Sequence, residues 1–184
     1  MSVVIGENGS AEGRFSEACG YMCIATGYAS MSRGSFCVAY GNYSNANGDN
    51  CEADGEGSHA EGIGAMATAK GAHAEGRYTY ATGYASHAEG DSTTAAGDYS
   101  HAEGNGAVTA ETGDGLLASN PHHRAWAWNG VSGDTRYHSH GAGTFNINPV
   151  PASGSNDPAT GFYIGEKTLA TIIAEAVAAA LANQ

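Results

Sequence analysis

Basic residues are scarce in this chain: 7 Lys and Arg stand against 19 Asp and Glu, giving a formal net charge of −12 at pH 7. A surface of that sign lacks the phosphate-neutralising contacts that nucleic-acid binders use, and anionic lipid repels it. No nucleic-acid partner is expected. Proline is also scarce, at 4 of 184 residues, while glycine is abundant at 28. The glycines do not recur at every third position, which excludes a collagen helix. Long hydrophobic runs are missing too. The most apolar stretch, near the C-terminus, is Ala-rich and interrupted by Glu175, too short and too polar to cross a bilayer, so no membrane insertion is expected. The opening MSVVIGENGS has no basic-then-apolar leader, which predicts synthesis and folding in a cytoplasm. Catalytic signatures are lacking as well: there is no G-x-S-x-G and no phosphate loop, and the glycines do not open the helix that a dinucleotide fingerprint requires. The sequence therefore predicts a protein that is not an enzyme.

What the chain does contain is a repeat. Glycine stands at every seventh position from Gly6 to Gly62 and again from Gly76 to Gly104, with Ala69 at the one miss. Two residues before each glycine from Gly13 onward sits alanine, with Ser32 the exception, and four residues before each from Gly20 onward sits Ser, Cys, Thr or Ala. The unit is small-x-Ala-x-Gly-x-x. A heptad suggests a coiled coil, but coiled coils need large apolar residues at two positions, and each interior glycine costs a helix about 1 kcal/mol. Small and variable residues instead alternate, which is the period of a strand. Each heptad is thus expected to form a short strand and a corner, with glycine supplying a positive φ at the corner. Two heptads make one 14-residue coil, and stacked coils make a parallel β-roll.

Only small side chains fit between the two sheets of such a roll. Cys23, Cys37 and Cys51 recur at the 14-residue period in that inward slot. They read as Ser-sized packing that suits a reducing compartment, with a disulfide or metal ladder as the alternative. Cys19 falls on an outward slot. One outward row carries Ile24, Val38, Glu52, Met66, Tyr80, Thr94 and Val108. The other carries Glu17, Met31 and Asn45, then His59, His73, His87 and His101, with Glu61, Glu75, Glu89 and Glu103 two residues further on. A core of Ala and Ser buries too little apolar area to stand alone. The row with Ile24, Val38, Met66, Tyr80 and Val108 is the natural seam with identical chains in a closed cyclic assembly. The His/Glu ladder reads as a solvated face whose members pair for modest gain, with a pH-sensitive surface as the alternative.

The strings SHAEG, at Ser58–Gly62, Ser86–Gly90 and Ser100–Gly104, and AHAEG, at Ala72–Gly76, resemble the head repeats of YadA-like trimeric autotransporter adhesins. Similar repeats occur in bacteriophage fibre and appendage proteins. The resemblance covers about the first 110 residues, and it implies a left-handed roll assembled as a homotrimer. In that family Val and Ile fill the two outward slots that face the threefold axis, where this chain has His and Glu. A membrane-anchor barrel, a coiled-coil stalk and a signal peptide are not recognisable.

Past Gly104 the pattern decays, with Glu111 where glycine is due. Residues 124–128, 135–138 and 144–148 read as short strands between Asn-Gly, Ser-Gly and Gly-Ala-Gly turns. They predict a small β cap around Trp126 and Trp128. His138-Ser139-His140 would place two imidazoles on one side of a strand, and three copies would offer six nitrogens, a cage for iron or nickel on the threefold axis. Such HxH pairs resemble metal sites in the tips of some phage fibres; two plain surface histidines are the alternative. His122 and His123, being adjacent, point apart. The chain closes on an amphipathic stretch with Thr168 as N-cap and Leu169, Ile172, Ile173, Ala176, Val177, Ala180 and Leu181 as its stripe.

The expected architecture is therefore mainly β: a parallel left-handed β-roll solenoid of 14-residue coils over residues 1–110, homotrimeric, a linker and small β-rich cap over 111–165, and a C-terminal α-helix over 166–184. The expected role is a non-enzymatic fibre or adhesin of a bacteriophage or phage-like particle, assembled in the host cytoplasm and carried on the virion. One end would join other particle proteins, and the rod would meet a host surface glycan or protein. The alternatives are a purely structural decoration or connector, and the head of a trimeric adhesin on a bacterial cell surface.

Overall fold

The computed structural model describes residues 1–112, 116, 118–121, 123–129, 137–138, 141–143, 145–148, 163–164, 167–168 and 178. The chain divides into two units, Met1–Asn148 and Pro149–Gln184. The first is a parallel β-solenoid of about eight turns with 14-residue coils. Each coil gives a five-residue strand to a wide sheet, as at Glu17–Tyr21 and Met31–Ser35, and a two-residue strand to a narrow sheet, as at Ile24–Ala25 and Val38–Ala39. Pairing runs from residue i to i+14 throughout this region: Glu17 lies beside Met31, His59 beside His73, and Ile24 beside Val38. The sequence period thus becomes a spatial period, and like side chains stack on like.

The core is what the small-residue pattern requires. Ala46, Ala60, Ala74, Ala88 and Ala102 from the wide sheet meet Ala25, Ala39, Ala53, Ala67, Ala81 and Ala95 from the narrow one, all fully buried. Nothing larger than valine is fully buried among the described residues. Most inward serines are satisfied locally, whereas the buried hydroxyls of Ser58, Thr79 and Thr93 have no hydrogen-bond partner. The hydroxyls of Ser16, Ser30, Ser44, Ser86 and Ser100 each donate to the glycine carbonyl three residues back, at 2.6–2.8 Å. Cys23 and Cys51 fill the corresponding inward slot ahead of the narrow-sheet strands and donate to the carbonyls of Gly34 and Gly62, both at 3.3 Å. All four cysteines are free thiols, with Cys23, Cys37 and Cys51 buried, so they pack as serine equivalents and form no disulfide ladder. A hydrogen bond with Cys51, reinforced by burial, pushes the Cys37 thiol well above its ordinary range.

The glycines do a different job from the one expected of them. Only alternate members have positive φ, for example Gly20, Gly34 and Gly48 at 113–127°, and these lie within the wide-sheet strands. Gly13, Gly27, Gly41 and Gly55 have no such φ. Both sets are held to glycine by the rung above: a Cβ at Gly27 would sit 1.9 Å from the Gly41 carbonyl oxygen, and one at Gly48 would sit 2.0 Å from that of Gly62. The left-handed corner is the residue two places later, and most of these are not glycine: Met22, Phe36, Tyr43 and Tyr99 have φ of 51–59°. Each such corner is tied by its own N–H to the carbonyl fifteen residues back, as Phe36 is to Tyr21 and Tyr43 to Tyr28. That bond offsets part of the cost of a bulky residue in the left-handed region.

Beyond Asn105 the strands read from sequence as a cap extend the two roll sheets. Trp126–Asn129 pairs in parallel with His101–Asn105, Phe145–Asn148 pairs with Trp126–Asn129, and Tyr137–His138 pairs with Ala107–Val108. The stacking continues while the excursions between rungs lengthen. At the departure point Thr109 stands in for a missing rung. In regular coils one alanine carbonyl accepts from two N–H groups of the coil below, as Ala53 does from Tyr40 and Gly41. Here the Thr109 hydroxyl accepts from Ala96 N–H at 2.9 Å and from Gly97 N–H at 3.3 Å. The chain then folds back as a short antiparallel pair, Ala110–Thr112 with Ser119–Pro121.

In the second unit Tyr163–Ile164 pairs antiparallel with Lys167–Thr168. The helix expected beyond Thr168 lies outside the described residues, save for Ala178.

Candidate functional site

The wide sheet turns its outward face into an ordered column of rings. His59, His73, His87 and His101 are first residues of successive strands, so the 14-residue register stacks them. Their centroids lie 4.9, 4.7 and 4.7 Å apart, with His73 and His87 within 9° of parallel. The column runs on through Trp126, at 4.9 Å from His101, and Phe145, at 5.2 Å from Trp126. Beside it Glu61, Glu75, Glu89 and Glu103 form a parallel carboxylate row, because residues two apart on a strand share a face.

The two rows are close without being hydrogen-bonded. Each histidine Nε2 lies 3.3–4.0 Å from the carboxylate of its own strand, and His101 lies 3.9 Å from Glu89 of the strand below. The Nε2 atoms of His59, His87 and His101 are screened from water and make no hydrogen bond. Burial, and next the neighbouring imidazoles, hold His73 and His87 below the ordinary histidine range, because stacked cations repel where water is thin. On the face expected to be solvated, the imidazoles are thus half-buried and three of their Nε2 atoms lack partners, while Glu61 and Glu75 are exposed.

The other expected row is less uniform. Ile24, Val38, Met66 and Tyr80 are half-buried, but Glu52 and Asp54 interrupt them, and burial, followed for Glu52 by the Asp54 charge, raises both carboxyls. Val108 does not belong to an open seam. It is 0% exposed within the single chain, clustered with Ala96, Ala110 and Ala118 where the chain folds back, and Thr94 is equally buried.

A third feature went unread in the sequence. Aromatic side chains at the two variable positions after glycine form edge-to-face ladders along the corners: Phe15–Tyr28–Tyr43, Tyr21–Phe36 and Tyr84–Tyr99, with centroids 5.3–5.7 Å apart. All are exposed. The signal was present as Phe or Tyr recurring in the x-x of small-x-Ala-x-Gly-x-x. Near the last ladder, Asp98, Tyr99, His123 and Arg124 line a shallow recess of about 200 Å³. Its wall is fixed by Asp98 N–H, which donates to His123 Nδ1 at 2.9 Å.

His138 lies on the strand beside Val108, and His140 is outside the described residues, so the expected HxH pair lies outside what the structure describes. No helix among the described residues is long and apolar enough to cross a membrane. No known family model matches the chain, and no curated protein does.

Proposed function

We propose that the protein is a non-enzymatic, homotrimeric fibre or adhesin, carried by a bacteriophage or phage-like particle, whose β-roll presents a surface that binds a host glycan or protein. The observation that supports this reading is the inversion of apolar content: among the described residues the core holds nothing larger than valine, while Val3, Ile5, Trp126, Phe145 and the corner tyrosines are exposed. Large apolar side chains left outside a small-residue core mark contact surfaces. The wide sheet has apolar residues at both ends of its outward face and unsatisfied imidazoles between them, which favours that face, over the row with Ile24 and Val38, as the seam between sister chains. The left-handed wind and the threefold axis come from the YadA-like resemblance. The corner aromatics and the Asp98–Arg124 recess stay outward in that arrangement and supply the stacking faces and charged partners that sugars use.

Sedimentation equilibrium tests the assembly: a trimer mass across dilution supports it, and a folded monomer rejects it. A glycan and cell-binding screen on the trimer tests the role. Saturable binding weakened by Tyr43→Ala and Tyr99→Ala supports an adhesive fibre, and its absence returns the alternative of a structural connector.

A further inference from the structure

The His/Glu ladder carries a second inference, independent of the trimer. We propose that Glu89, His101 and Glu103 form a binding site for a divalent transition ion of the Zn²⁺ class, with a second such trio, His73, Glu75 and His87, one rung along the ladder. In each trio the ligand atoms lie within 4.8 Å of one another. His101 Nε2 stands 3.9 Å from Glu89 Oε1 and 3.6 Å from Glu103 Oε2. These separations suit a shared ion better than the other ways of satisfying the three groups. They exceed a hydrogen bond, and a bridging water with two bonds of about 2.8 Å would hold its partners about 4.5 Å apart. An ion with Zn–N and Zn–O bonds of about 2.0–2.2 Å holds tetrahedral ligands about 3.3–3.5 Å apart. Each His–Glu separation therefore needs to shorten by about half an ångström or less to share an ion, with the two carboxylates already within 4.8 Å of each other.

Three further facts point the same way. The Nε2 of His101 is screened from water and has no hydrogen-bond partner, so its valence is unfilled. The ligands sit on adjacent paired strands, His87–Asp91 and His101–Asn105, whose register is fixed by the ladder, so little ordering is needed on binding. Two carboxylates placed side by side on a chain of net charge −12 are relieved by a cation. One imidazole with two carboxylates matches the nitrogen and oxygen preference of Zn²⁺, and the open fourth position falls to water or to a residue of a sister chain.

The test uses untagged, chelator-stripped protein titrated with ZnCl₂ by calorimetry, and with CoCl₂ by absorption in the visible range. The expected result is saturable binding with about micromolar affinity, a tetrahedral cobalt band, and at least an order-of-magnitude loss of affinity in Glu89→Gln and in His101→Asn. His138→Ala/His140→Ala serves as the control and should leave this binding unchanged. Should a ladder variant fail to fold, Zn²⁺-dependent shifts of the His101 imidazole resonances in unaltered protein carry the same information. Zn²⁺ affinity no tighter than millimolar, full affinity in both ladder variants, or unmoved His101 resonances would each overturn the site.

Discussion

The stack up to Asn105 and the stack beyond it are built on the same two sheets but under different rules. Below, neighbours are always 14 residues apart, and the position after the outward pair is glycine. Above, His101 pairs with Trp126 and Trp126 with Phe145, so the excursions are longer and irregular, and Gly104 lies beside Asn129 instead of glycine. The difference separates two requirements that the repeat fuses. A rung needs only an alternating strand whose backbone can pair; a 14-residue rung also needs a glycine whose missing Cβ lets the next carbonyl approach.

The largest effect should come from violating the second requirement inside the regular stack. Gly48→Ala would push a Cβ to 2.0 Å from the Gly62 carbonyl oxygen at a φ of +124°, so loss of the cooperative melt is expected, with a cost above about 4 kcal/mol. Asn129→Gly, on the irregular side, should shift the melting temperature little. A mild outcome at Gly48 would mean that the glycine comb is not a spacing device. Next comes the junction itself. Thr109→Val leaves the N–H groups of Ala96 and Gly97 without their acceptor, a loss of about 2–4 kcal/mol in denaturant unfolding, whereas Thr109→Ser should recover most of it.

The histidine column should make the regular stack acid-sensitive. The folded-state pKa of His73 and His87 is depressed, so the unfolded chain takes up protons first, and stability present above the unfolded value of about 6.5 declines as pH falls through it. Thermal melts from pH 8 to 5 in chelator should show that decline, and His73→Gln/His87→Gln should flatten it. A melt insensitive to pH would mean that the stacked rings are well solvated. The smallest effect is expected at the inward thiols: Cys37→Ser, in a slot that the small residues Ala65 and Thr79 occupy in other coils, should cost less than about 1 kcal/mol by the same measurement.

The comparison also explains what could be read from the chain and what could not. Period, strand pairing and the inward placement of Ala, Ser and Cys were legible because each follows from local alternation repeated many times. The glycine's purpose was misassigned because its constraint lies 14 residues away, at a carbonyl that no local pattern displays. Phe36 and Tyr43 gave no hint of a left-handed φ, since propensity argues against it and only the tie to Tyr21 and Tyr28 permits it. The membership of Trp126–Asn129 in the wide sheet was hidden by the irregular interval before it, and the half-burial of the imidazoles on the His/Glu face emerges only when four weakly polar strands are stacked.

A register that never varies from Val3 to Asn105 has an evolutionary consequence. Excising residues 58–71 would join Gly57 to Ala72, another small inward residue, and leave each remaining strand facing an equivalent neighbour. Excising seven would instead hand a wide-sheet segment to the narrow sheet and misplace every later side chain. Length in this molecule is therefore adjustable in whole coils only, through unequal exchange between near-identical stretches of coding sequence, so relatives should differ in reach by integral steps while conserving cross-section.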